Sequence, residues 1–201
     1  LHPLEMSAAA HGHRLRRDYF NRPTLLVARD LLGKFIVRDT GSTRIAAMIN
    51  EVEAYKGPLD RAAHTHAGRR TRRVEPLYGD GGTVYAYLVY GLHWLLNFST
   101  AGHGKPEGAL VRGVVGIEAG KHKAVIGPGR VGQYLHIDAA LSGDNVADSA
   151  RIWVEDRGVQ VRVKDIRRGP RVGIDYAGPY YAARPWRFWI DVAVGVAPHR
   201  K

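Results

Sequence analysis

A chain of 201 residues is long enough to bury its own core, and 45% hydrophobic residues with 24 glycines and 10 prolines describe a folded protein rich in turns. The absence of cysteine excludes disulfides and thiolate metal sites and fits a reducing compartment, while no apolar run approaches the roughly 20 residues that span a bilayer, so the expected protein is soluble and intracellular, with no membrane partner. Thirty Lys and Arg against nineteen Asp and Glu leave a net charge of +11, suited to a polyanion such as nucleic acid.

Residues 1–17, LHPLEMSAAAHGHRLRR, carry no periodicity and predict a flexible basic arm, leaving 18–201 as the folded domain. RPTLLVARDLLGK predicts a short helix: Pro23 suits a first turn, Leu25, Ala28, Leu31 and Leu32 share one side, and Gly33 stops it. KFIVRD and TRIAAMINEVEAY predict strands joined by a turn at Gly41. In the second of these, Ile45, Ala47 and Ile49 continue into Glu51, Glu53 and Tyr55, so an apolar face runs into two acids. A buried carboxylate is costly unless paired. Three readings follow: a salt bridge to an arginine, a bulge that returns the acids to water, or a base poised in a pocket. His64 and His66 form a His-x-His pair of the kind that binds metal, but no third ligand stands at suitable spacing, so no metal is expected.

In VYAYLVYGLHWLLN, residues 84–97, Tyr85, Tyr87 and Val89 alternate onto one strand face, and Tyr90 breaks the alternation just before Gly91. A turn at Gly91 puts Tyr90 at the tip of a hairpin over 83–99, where it has no core to fill, and an aromatic there reads as a probe. ALVRGVVGIE adds a strand with Arg112 inside it. GPGRVGQYLHI, 127–137, predicts a brief helix with a glycine-rich entrance; GPGR has the composition of a phosphate loop without its Lys-Ser/Thr ending, and turn formation is its simpler use. RIWVED, VQVRV and RPWRFWIDVAV alternate as further strands. Strands joined by short loops, with few long helices, predict an α+β antiparallel domain over a doubly wound parallel sheet. Arginines cluster at Arg14, Arg16 and Arg17, at Arg69, Arg70, Arg72 and Arg73, and at Arg167, Arg168 and Arg171.

EVEAYKGPLDRAAH at 51–64, the GRRT that follows, GTVYAYLVYGLHWLLN at 82–97, ALVR at 109–112, GPGRV at 127–131, RVGIDYAG and RPWRF together resemble the alkyladenine (3-methyladenine) DNA glycosylases, or methylpurine glycosylases, over about 18–192. The resemblance implies a single α+β domain with a curved, mainly antiparallel, partly open barrel-like sheet, short surrounding helices and a protruding β-hairpin. It implies a monofunctional enzyme of base-excision repair. The substrate is an alkylated or deaminated purine, such as 3-methyladenine or hypoxanthine, flipped out of double-stranded DNA; its N-glycosidic bond is hydrolysed, an abasic site is left, and no cofactor is used. The expected enzyme is a monomer working on the genomic DNA. Carried over by position, Glu53 activates the attacking water, Tyr55, His64 and Tyr87 line the base pocket, Asn97 discriminates among purines and Arg112 assists. Tyr90 intercalates through the minor groove with Leu92 beside it. Arg69, Arg70 and Arg130, in the basic GRRT and GPGR stretches, are the expected phosphate contacts. No lysine stands where the family uses one as nucleophile, so no strand cleavage is expected. Val74, where the family commonly has asparagine, and a short 118–127 stretch depart from the pattern. A non-catalytic damage-binding protein is the alternative. An RNA-associated domain is a third reading, for which a minor-groove wedge has no obvious use.

Overall fold

The computed structural model describes residues 12–118 and 121–191. In chain order the elements are β1 (His13–Arg14), α1 (Arg17–Phe20), α2 (Thr24–Asp30), β2 (Phe35–Asp39), β3 (Arg44–Tyr55), β4 (Val84–Val89), β5 (His93–Thr100), β6 (Glu107–Glu118), β7 (Lys121–Ile126), α3 (Pro128–Tyr134), β8 (Ile152–Asp156), β9 (Ile166–Gly169), α4 (Pro179–Ala182) and β10 (Arg187–Ile190). The strands form one ten-stranded sheet in the order β1-β8-β2-β3-β6-β5-β4, with β7 added to β6 and the β9–β10 pair added to β3. Every pairing is antiparallel, and the sheet is open at both ends of its main path. The predicted α+β class, built on a mainly antiparallel sheet that stays open, therefore holds.

The twelve-residue β3 is the spine, pairing with β2, β6 and β10 along its length. Its buried Ala47, Met48, Ile49, Val52 and Ala54 pack with Val111 and Val114 of β6, with Val27, Ala28 and Leu31 at and just after α2, and with Val131 and Leu135 at α3. Burial of such side chains, each contributing about 1.5–3 kcal/mol, anchors this strand as the platform for the site.

The predicted arm lies partly outside the described residues. Its last residues belong to the fold: His13 and Arg14 pair with Asp156 and Glu155 of β8, and Leu15 is buried. The predicted strand VQVRV is corrected. Residues 159–162 adopt no regular structure, and Val159 and Val161 instead pack on the core as an unpaired cover. Of RPWRFWIDVAV, Arg187–Ile190 is a strand, and the residues from 192 lie outside those described.

Candidate active site

The face of β3 that begins apolar does run into two acids, and neither returns to water. The register between β3 and β6 slips and recovers, Ile49 facing Val114, Glu51 facing Gly113 and Val52 facing Val111, so Asn50 and Arg112 each lack a Cα partner. Such irregularities re-aim side chains within a sheet. Here Arg112 is brought between the acids, its Nε 3.3 Å from Glu51 Oε1 and 3.4 Å from Glu53 Oε1. Glu51 also meets Arg187 of β10 at 3.1 Å. The salt-bridge reading thus accounts for Glu51.

Glu53 is different in kind. It is 0% exposed, and both its oxygens accept hydrogen bonds: Oε1 from the Val172 N–H at 2.8 Å, Oε2 from the Tyr55 hydroxyl at 2.9 Å. Burial pushes its carboxyl above the ordinary value against the opposing pull of Arg112, these two donors and Arg171. Burial, the Glu53 charge and Tyr87 hold the Tyr55 phenol well above its ordinary value, so Tyr55 stays a donor.

Tyr55 is also one wall of a partly open cavity lined mainly by aromatic side chains. The other walls include His64, Tyr85, Tyr87, Asn97 and Tyr176. Tyr85 and Tyr87 alternate onto one face of β4 as the sequence predicts, and their rings stack at 5.2 Å; the His64 ring stands edge-on to Tyr87 at 4.7 Å. His64 Nδ1 is 2.8 Å from the Tyr85 hydroxyl, whose pKa burial pushes up to about 12. Burial, then Arg73 and Arg69, hold His64 below its ordinary value, so the imidazole is neutral at pH 7. His66 turns elsewhere, to the Pro58 carbonyl at 3.0 Å. Asn97 faces Tyr85 across the β4–β5 pair and donates to its carbonyl at 3.2 Å. The structure therefore brings Glu53, Tyr55, His64, Tyr87, Asn97 and Arg112 to one place.

The β4–β5 hairpin closes through Tyr90, Gly91 and Leu92, with the Leu92 N–H on the Val89 carbonyl. Tyr90 is 91% exposed and Leu92 75%. Tyr90 and Gly91 have φ of 52° and 69°; the left-handed region suits glycine and costs a side chain about 1–2 kcal/mol. A strained, exposed aromatic is an outlier of the kind found at functional sites. The start of β5, next to the tip, rests on α3, whose glycines make close packing possible: a Cβ on Gly132 would lie 1.8 Å from the Trp94 carbonyl oxygen. GPGR thus opens a helix packed under the hairpin, and Arg130 is exposed there.

Of the other expected phosphate contacts, Arg69 is exposed, whereas Arg70 is paired with Glu75 at 2.5 Å and stacked on Tyr78. Two arginines gain roles that their clusters did not disclose. Arg73 lies 5.4 Å over the Tyr87 ring, and Arg171, read as part of a basic patch, is fully buried against Asp60. No sequence signal separates Arg73 from its neighbours, and Arg171 opens the RVGIDYAG motif without anything local marking it as buried.

Residues 18–193 match the family described as methylpurine-DNA glycosylase. The chain is similar to proteins named as candidate 3-methyladenine DNA glycosylases. One from Methanocella arvoryzae is 41% identical over 87% of this chain and 91% of its own length. Another from Psychrobacter cryohalolentis is 38% identical over 88% and 92%. A third from Streptomyces avermitilis is 35% identical over 97% and 96%.

Proposed function

The chain belongs to the methylpurine-DNA glycosylase family, a group of hydrolases acting on alkylated purines in DNA, and from that premise we propose that it excises 3-methyladenine and deaminated purines such as hypoxanthine from flipped-out nucleotides with Glu53 as the base. The observation that carries this reading is a buried, doubly hydrogen-bonded carboxylate joined through the Tyr55 hydroxyl to an aromatic cavity.

Chemistry at the sugar carbon requires the nucleotide to leave the base stack, which costs a few kcal/mol. Tyr90, with Leu92 beside it, fills the space vacated in the duplex, as apolar wedges do in the minor groove. The extruded base enters between Tyr55, Tyr87 and His64, where stacking contributes about 1–3 kcal/mol per base. With Nδ1 of His64 engaged by Tyr85, Nε2 is the nitrogen available to the base. Asn97 meets the purine edge and disfavours an exocyclic amino group. Glu53 takes a proton from water as the water oxygen bonds to the anomeric carbon. The glycosidic C–N bond breaks, and its electron pair leaves on the base. A cationic base such as 3-methyladenine departs neutral, so one carboxylate suffices for it, whereas neutral hypoxanthine departs as an anion that takes up a proton from solvent; in both cases the carboxylate's charge stabilises the oxocarbenium-like transition state. Arg112 sits against the same carboxylate and helps keep it ionised. The product is an abasic site, with no strand cleavage, and the enzyme acts as a monomer.

The test is a single-turnover assay with enzyme in excess. Methylated DNA is scored for released 3-methyladenine, and duplexes with one hypoxanthine or ethenoadenine are scored for alkali-labile sites. Release from at least one substrate is expected. Lesion-selective binding with no excision on any of them would leave a damage-binding protein in its place.

A further inference from the structure

We propose that Arg171 and Asp60 are a positioning pair for the general base, holding the segment 170–172 and the Tyr55 ring so that both oxygens of Glu53 stay fixed. The inference rests on the role given to Glu53 above.

Arg171 and Asp60 are both 0% exposed at their side chains and meet in a two-pronged contact, Nη1 to Oδ2 at 2.5 Å and Nη2 to Oδ1 at 2.9 Å. Nη1 also donates to the Ala54 carbonyl at 3.0 Å, and the guanidinium lies 4.6 Å from the Tyr55 ring and 4.9 Å from that of Trp186. The Asp60 oxygens accept in addition from the backbone N–H groups of Lys56 and Ala62, each at 3.0 Å. One ion pair thereby ties the end of β3, the loop that leads on to His64, and the segment before α4.

That segment is held at three successive residues. Pro170 offers its carbonyl to Arg187 Nε at 2.8 Å, Arg171 is locked by Asp60, and the Val172 N–H donates to Glu53 Oε1 at 2.8 Å. Glu53 Oε1 therefore depends on Arg171 through Val172, and Oε2 depends on it through the Tyr55 ring that the guanidinium backs. A buried ion pair is weak evidence of stabilisation, since apolar replacements are often as stable. A fork that aligns two donors on one carboxylate is what a planar guanidinium supplies and an ammonium does not. The charged and titratable groups around Glu53 are Glu51 and Tyr55 on β3, Arg112 on β6, Arg187 across the pair with β10, Tyr87 on β4, Tyr176 before α4, and Arg171 itself. Arg171 is among those favouring the ionised carboxylate.

The test compares the full-length protein with Arg171→Lys and with the double variant Asp60→Asn/Arg171→Gln, which leaves no unpaired buried charge. Thermal unfolding, lesion-duplex affinity and the pH profile of single-turnover excision are measured on each. The double variant is expected to fold and to bind the lesion duplex nearly as before. Its rate should fall by about a hundredfold, the scale of a 1 Å misplacement, with the acid limb moved to higher pH. Arg171→Lys should keep the acid limb in place and recover only part of the rate. A folded double variant with the unmodified rate and limb overturns the proposal, as does a loss of affinity parallel to the loss of rate. If the double variant does not fold, Arg171→Lys decides: a lowered rate with an unmoved limb supports positioning, and an unchanged rate or a shifted limb sinks it. A protein that excises nothing removes the activity and the pair's role together, whereas excision untouched by either variant removes the pair's role alone.

Discussion

The proposed base, Glu53, would concentrate the chemistry of the site in one carboxylate, and its environment sets a pH signature. Burial raises its pKa, and the base form is the active one, so excision should fall as the pH drops through a value above the ordinary carboxyl range. Glu53→Gln should lower single-turnover excision by about a hundredfold or more, a barrier of at least about 2.7 kcal/mol, while lesion affinity changes little. Affinity lost in step with rate would make Glu53 a structural residue. Glu51→Gln is the informative companion, because Glu51 competes with Glu53 for Arg112. Removing that negative neighbour lowers the Glu53 pKa, so most excision should survive and the acid limb should move to lower pH; an unmoved limb would uncouple the two acids. Asn97, held through its amide to the Tyr85 carbonyl, should act on selectivity alone. Asn97→Ser should raise excision of guanine-derived bases relative to hypoxanthine, and an unchanged ratio would remove it from discrimination. These residues were legible because β3 and β4 alternate and because the motifs resemble a family. Arg171 was not, since its partner Asp60 is 111 residues away and nothing local marks one arginine of a cluster as buried.

At the scale of elements, the wedge proposed at the hairpin tip would set stability against recognition. Tyr90 holds a left-handed φ of 52° with almost its whole surface in water, so packing does not offset its strain. Tyr90→Gly should raise hairpin stability by up to about 1 kcal/mol while weakening lesion-specific binding. Tyr90→Ser should weaken the same binding without the gain in stability, and in both variants the salt-dependent, non-specific affinity should stay nearly constant, because phosphate contacts supply it. Titrations of lesion and undamaged duplexes at matched salt check this; equal losses on both would make the hairpin a general contact surface. The tip was readable because a tyrosine beside a turn glycine violates strand alternation. The strand misread at VQVRV has the opposite cause: alternating valines are equally suited to a pleated strand and to an irregular cover that buries two of them, and the sequence carries no signal of whether a pairing edge is available.

Across the whole molecule, the excess of positive charge is real but unevenly usable. Arg17 and Arg167 are each paired with an acid, and Arg171 is buried, so the clusters seen in the sequence overstate what is offered to DNA. Arg69 and Arg130 are exposed and take part in no ion pair among the described residues. Arg70 is an intermediate case: its pair with Glu75 leaves both side chains more than half exposed, and such surface pairs contribute about 0–1 kcal/mol, little enough for a phosphate to displace the carboxylate. This hierarchy is measurable in the slope of log affinity against log salt for undamaged duplex, which changes by about 0.9 for each phosphate neutralised. Arg130→Ala should flatten the slope by about one such unit, and Arg70→Ala by less, because Glu75 already screens that charge. Glu75→Gln releases Arg70 to the DNA and should steepen the slope and tighten non-specific binding, without altering single-turnover excision at saturating enzyme. Anisotropy titrations across a potassium chloride series measure all three. If Glu75→Gln leaves the slope where it was, Arg70 does not face the duplex, and the GRRT stretch contributes to DNA binding through Arg69 alone.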